Sequence, residues 1–416
     1  MLHRSLIALA LATIASVGGT RLSAVAIPWL VLTTTNSPVL TGAVAMAELL
    51  PYVVAQFLAG PYIDRLGARK IAIFCDLLSC LLVLCIPLLF AIGLFSVWVL
   101  IPVVALLGML RGPSDISKRS LVPIVARAEK ISLERVTGIL GTSDRLAATL
   151  GVAVAGVLIA AVGPILALFV NAATFLLSAL LLIFAVVLPK DEAHAPAQGM
   201  KPRQNYLTEL ASGVKVVAGS PVYLGFAGMM VVTNMLDHAY GAVMLPVWVR
   251  ENGYDVSWMG ILLACFSSAA ILGAAVASIY AEKLPRKPIV IIGFMMAGPV
   301  PFLALALSPS IWFTMGLLFV CGFGGGFLNP VISAALFERV PRNYMGRMVA
   351  TFTAMTYALM PFGGLFAGSL VELSSIRDTL IIAAILYGLA VLLPFLIPGF
   401  SEFAKRRTME PMGATP

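Results

Sequence analysis

The feature that most restricts how this chain can fold is a succession of apolar runs separated by short charged or Pro/Gly-rich breaks. Cut at those breaks, the runs lie near 5–33, 39–60, 70–92, 96–115, 134–162, 164–188, 221–249, 256–281, 287–307, 310–337, 345–371 and 378–398. About 20 apolar residues suffice for a helix to cross a hydrocarbon core. Inside that core a backbone must satisfy its own hydrogen bonds, which makes each run an expected membrane-spanning helix. Composition agrees: 60% hydrophobic and 11% charged residues, with a mean hydropathy of +1.02, cannot coat a water-soluble surface. Several runs exceed the hydrocarbon thickness, so tilt or extension beyond it is expected. The first run continues to about Leu32 without a processing site, which predicts an uncleaved span rather than a signal peptide.

Lys and Arg positions set the expected orientation, because cytoplasmic loops carry them in excess. With the N-terminus inside, 22 of the 27 basic residues fall on inner segments, only Arg250 and Arg377 on outer loops, and Arg21, Arg111 and Arg145 within spans. Both termini are thus expected in the cytoplasm, and the net charge of +8 is explained without a nucleic-acid partner. The five cysteines lie in apolar runs without CxxC spacing and read as small buried hydrophobes rather than disulfides or metal ligands.

The chain also repeats itself. Tyr62-Ile-Asp64-Arg65-Leu66 returns 218 positions later as Tyr280-Ala-Glu282-Lys283-Leu284, and Ala24–Pro28 returns as Ala242–Pro246 at the same offset. Arg135, Gly151, Ala155 and Gly156 match Arg347, Gly363, Ala367 and Gly368 at an offset of 212. Six runs precede the longest polar interruption and six follow, with corresponding loops on one side, so the halves are parallel repeats. The expected fold class is an all-α integral membrane protein of twelve transmembrane helices. Its expected divisions are an N-terminal half (1–188), a cytoplasmic linker (189–220), a C-terminal half (221–398) and a tail (399–416). Within the linker, Leu207, Leu210, Val214 and Val217 recur at helical spacing and predict a short interfacial helix over Tyr206–Val217.

Gly60-Pro-Tyr-Ile-Asp64-Arg65-Leu66-Gly67-Ala68-Arg69-Lys70 resembles the signature loop between spans two and three of the major facilitator superfamily, departing from it at Ala68. IPWLVL in the first span, Leu50-Pro51, Pro113 with Arg119 and Pro123, LALFVNAATFLLSALLL in the sixth span and MGRMVA opening the eleventh resemble the twelve-span drug:proton antiporters, such as macrolide efflux and Tap-type exporters. The resemblance implies a bacterial cytoplasmic-membrane transporter driven by a proton gradient, without a bound cofactor, working by alternating access on a small-molecule substrate. Many exporters of the superfamily carry a Gly-Pro signature in span five, where this chain has Leu150-Gly151-Val152.

Ionisable groups within spans are costly, about 2.5–3.5 kcal/mol each on insertion scales, which makes each a candidate for function. Glu48, Arg21, Asp144, Arg145, Asp237 and His238 lie deepest and are the candidates for proton coupling or substrate contact. Glu48, Tyr52 and Gln56 form one polar stripe, and Arg21 lies at a depth that allows a pair with Glu48, read either as a fixed bridge or as a coupling pair. Asn234 and Gly241 flank Asp237 and His238 by a turn on either side. Tyr52, Gln56, Asn234, Phe266, Phe327, Met355 and Tyr357 are the candidate cavity lining. By the resemblance, Gly60, Asp64, Arg65, Gly67 and Arg69 form a cytoplasmic gate. Asp76, Arg119 and Arg347 are its candidate partners, and Arg111 and Asp115 are expected near it. The run Gly322–Gly326 lies in an apolar span and lacks GxGxxG spacing, which predicts close helix packing rather than a nucleotide loop.

The leading expectation is proton-coupled export of amphipathic molecules by a monomer. The alternative is a dedicated transporter of one solute, such as a siderophore, lipid or organic anion, for which Arg21, Arg111 and Arg145 argue. A membrane enzyme is disfavoured because no HExxH, GxSxG or Walker loop occurs. A receptor would not require matched halves.

Overall fold

The computed structural model describes residues 3–187, 219, 221–280, 286–307, 310–328 and 352–396. Among these, every regular element is a helix. Helices α1 (Arg4–Thr35), α2 (Pro38–Leu66), α3 (Ala68–Ala91) and α4 (Val97–Ser120) follow one another, then a short α5 (Val122–Ala128). Helix α6 (Leu133–Phe184) holds two spans, broken where Gly163 has φ 80° ahead of Pro164. Next come α7 (Pro221–Ala239), a π-helical turn at Tyr240–Met244, and α8 (Leu245–Glu251). The remainder comprises α9 (Ser257–Tyr280), α10 (Arg286–Ala297), α11 (Pro299–Leu307), α12 (Ile311–Gly326), α13 (Gly363–Leu373) and α14 (Ile376–Leu392).

Eight of the described helices are long and apolar enough to cross a membrane. Dividing α6 at Gly163 and adding the shorter helices at Pro221–Glu251, Ile311–Gly326 and Ile376–Leu392 accounts for all the spans expected from sequence. The predicted interfacial helix at Tyr206–Val217, the second copy of the charged loop beyond Tyr280, and the C-terminal tail lie outside the described residues.

Local chemistry places the breaks. Ser37 caps α2 by accepting from the Leu40 backbone N–H at 3.2 Å, and Pro38 starts the helix where no N–H is needed. Gly67, with φ 89°, ends α2 and begins α3 in a conformation that a side chain would strain. The π turn precedes Pro246, which cannot donate to the Ala242 carbonyl, so the backbone widens rather than keep the ordinary helical ladder.

Packing divides the chain into two compact units. The first contains Met1–Pro202 with His238–Ala264 and Pro361–Thr379, and the second contains Arg203–Asp237, Cys265–Met360 and Leu380–Pro416. In the first, α1 packs on α6, α2 on α4, and α3 on both α4 and α6. The last carbonyls of α6 are capped by guanidinium groups: Arg69 donates to Leu182 O at 2.9 Å and Ile183 O at 2.7 Å, and Arg4 to Phe184 O at 2.9 Å. Also in this unit, α13 lies on α2 with Gly364 against the Gly42 backbone. Arg250, ending α8, donates to Leu32 O at 2.8 Å and to the Asn36 side chain, closing the C-terminus of α1.

In the second unit the Gly322–Gly326 run lies in α12, where Gly322 and Gly326 meet the backbone of α9 at Phe266 and Ala270. The run is a close helix crossing, as predicted. All five cysteines are free; Cys75 and Cys321 are buried, but Cys85 is exposed on the outer surface of α3, so the buried-hydrophobe reading fails there.

Candidate functional site

Helices α2 and α4 run in the same direction, because the pairs that join them share one sequence offset, 63 residues. Gly108 and Gly112 on α4 let the two backbones approach at Glu48 and Tyr52. The polar side chains between them form two rungs. Arg111 is ion-paired and hydrogen-bonded to Glu48. One turn further along both helices, the Tyr52 hydroxyl donates to Asp115 Oδ2 at 3.1 Å. Gln56 Nε2 donates to the Tyr52 hydroxyl at 2.7 Å, which joins the predicted stripe into one network. The Arg111 guanidinium carbon stands 5.7 Å from the Tyr52 ring centroid, in cation–π range.

Glu48 therefore pairs with Arg111, not with Arg21 as one reading of the sequence anticipated. The reason is packing: α2 lies on α4, whereas α1 lies on α6. Arg21 is exposed, and Arg111, Asp144, Tyr52 and Asp115 lie within its electrostatic range. Asp144 is half-buried and Arg145 exposed. Sequence reasoning placed Arg111 and Asp115 near the gate. The signal that would have placed them here is that Glu48/Tyr52 and Arg111/Asp115 are both i, i+4 pairs in parallel spans.

A second polar group lies in the second unit. The Tyr387 hydroxyl hydrogen-bonds the exposed Asp237 carboxylate and is also bonded with Thr233. The Tyr387 ring is 1% exposed and packs flat over Gly298, where any side chain would collide with it. Asn234 Nδ2 donates to Thr356 O at 3.2 Å. Phe266, Phe327, Met355 and Tyr357 are half-buried in this unit. His238 belongs to the first unit, half-buried, and its Nδ1 has no hydrogen-bond partner among the described residues.

The expected gate residues separate. Gly60 is half-buried, Asp64 and Arg65 are exposed, Gly67 forms the turn and Arg69 caps α6. Asp76 does not reach the loop: it is 1% exposed and held by Lys118 Nζ at 2.8 Å and by Ser114 and Ser178 hydroxyls at 2.6 Å each. Arg119 is exposed, and Arg347 lies outside the described residues.

Comparison with known proteins agrees with this architecture. The multidrug efflux pump Tap of Mycobacterium tuberculosis is 28% identical over 377 residues, covering 90% of this chain and 88% of that protein. Its counterpart in Mycolicibacterium fortuitum is 27% identical over 385 residues, covering 92% and 90%. Among solved structures, the nucleoside transporter NupG superposes with a TM-score of 0.76 at 15% identity, covering 98% of this chain and all of that one. A bacterial Spinster homologue in an inward-facing conformation gives 0.71 at 12%, covering 97% and 98%. Residues 2–411 match the family model described as transmembrane secretion effector, MFS_3. The chain accordingly belongs to that family of major facilitator transporters and is a multi-pass membrane transporter of small molecules, not an enzyme.

Proposed function

We propose that this protein exports amphipathic small molecules from the cytoplasm in exchange for protons. The observation that carries the reading is the Glu48–Arg111 pair between α2 and α4. A carboxylate held by a guanidinium inside a membrane span can take up a proton only by releasing its partner, which links protonation to side-chain movement. Likeness to Tap over nine-tenths of the chain supports the substrate class. The excess of bases on one set of loops supports a bacterial cytoplasmic membrane location with both termini inside. The six-plus-six repeat, divided by the 189–220 linker, supports alternating access by a monomer without a bound cofactor. The Asp237–Tyr387 group supports a second coupling or substrate contact. The exposed Arg21 and Arg145 favour one other reading, a dedicated transporter of an anionic solute.

The test is transport in sealed vesicles with an imposed pH gradient, using ethidium and an organic anion as probes. Gradient-driven ethidium movement in the wild type, reduced at least about tenfold in Glu48→Gln, is expected. Anion movement alone selects the alternative, and full coupled transport by Glu48→Gln refutes the proton site.

A further inference from the structure

Two features of the α2–α4 ladder remain unused by a simple ion pair. Arg111 faces two carboxylates: Glu48 across the interface, and Asp115 at i+4 on its own helix, within electrostatic range. Yet its buried Nε has no hydrogen-bond partner among the described residues, so the guanidinium is incompletely satisfied by them. Tyr52, by contrast, is held at both ends of its hydroxyl. It accepts from Gln56 and donates to Asp115, while Arg111 sits over its ring.

We propose that Arg111 shuttles between Glu48 and Asp115, and that its arrival at Asp115 releases Tyr52. This rests on Glu48 being the proton site. When Glu48 takes a proton from solution, it becomes neutral and loses most of its hold on Arg111. The guanidinium then moves one turn along α4 to the Asp115 carboxylate and displaces the Tyr52 hydroxyl as its partner. Tyr52 keeps its proton, Arg111 keeps its charge, and the proton on Glu48 leaves again when Arg111 returns. One proton is therefore exchanged per movement, with no other reactant. The freed Tyr52 ring carries the change away from the ladder. The other charged or titratable groups in range of these rungs are Arg21 on α1 together with Lys118 and Arg119 on α4, and Asp144 on α6 lies in range of Arg21. They bias the distribution of charge but make no hydrogen bond to either rung among the described residues.

Infrared difference spectroscopy of the whole protein in lipid, between acid and alkaline pH, tests this without a ligand. The signal is the part of the wild-type spectrum that Glu48→Gln removes, because the Asp237–Tyr387 group gives bands of the same kind; it is expected to contain a protonated carboxyl band and a tyrosine hydroxyl change. Glu48→Gln is expected to lose both. Tyr52→Phe and Asp115→Asn are each expected to lose the tyrosine change while keeping the carboxyl band, so either variant suffices if the other does not fold. A tyrosine change that is absent in the wild type, or that survives in Tyr52→Phe or Asp115→Asn, overturns the shuttle and leaves the Glu48 site standing. A wild-type spectrum that loses no carboxyl intensity in Glu48→Gln overturns the proton-site reading itself.

Discussion

Asp76 and Glu48 are both membrane-embedded carboxylates paired with a base, yet their surroundings assign them opposite work. Asp76 accepts from Lys118 at 2.8 and 3.0 Å and from two serine hydroxyls, and the whole group is buried among α3, α4 and α6. Every oxygen is satisfied, so movement gains nothing, and the cluster is a fixed staple. Removing its charge leaves Lys118 buried without a counter-ion, a loss of about 3–5 kcal/mol for broken buried pairs. Asp76→Asn is therefore expected to lower the thermal unfolding temperature of the purified protein sharply. Replacing Asp76 and Lys118 together by apolar residues of similar size should recover most of it; no difference between the single and double variants would refute the staple. Glu48 is only half-buried, and the Nε of its partner has no acceptor among the described residues.

At the scale of elements, small residues decide which helices meet. The crossing of α2 and α13 depends on Gly42, where an added Cβ would collide with the Gly364 backbone. This contact lies at the end of α2 remote from the charged loop, as does the closure of α1 by Arg250. Overpacking at such a crossing costs about 1–3 kcal/mol. Gly42→Leu is thus expected to separate the remote ends of α2 and α13, read as a longer distance between spin labels on them, and to slow transport. An unchanged distance would show that the glycine contact does not hold this end together. The sequence match of Gly363, Ala367 and Gly368 to Gly151, Ala155 and Gly156 marked these positions as small, but not what they touch.

At the scale of the molecule, the distribution of basic residues predicts sidedness. In intact bacterial cells, cysteines introduced beside Arg65 and Lys405 should resist a membrane-impermeant thiol reagent, and one beside Arg377 should react. These readouts use a variant lacking the five native cysteines, so that only the introduced thiol can react. Labelling of the first two from outside would invert the topology and with it the proposed direction of export.

Much of this architecture was legible in the chain. Apolar runs of spanning length and a glycine at the α2–α3 turn are one-dimensional properties. The bilayer reads them directly, because each span must satisfy its own backbone wherever it sits. The membership of Glu48, Tyr52 and Gln56 in one polar face was equally legible, since helical periodicity is local. What the sequence could not determine was the partner across the interface. The sequence reading set Arg21 at the depth of Glu48 and Arg111 nearer the gate, and the packing of α2 on α4 brings Arg111 to Glu48 and Asp115 to Tyr52. In the same way, only the meeting of α3, α4 and α6 turned Asp76 from a suspected gate residue into a buried staple. Side chains far apart in sequence acquire a role from the helix that faces them, and helix pairing is decided by the complementarity of whole surfaces rather than by any one residue.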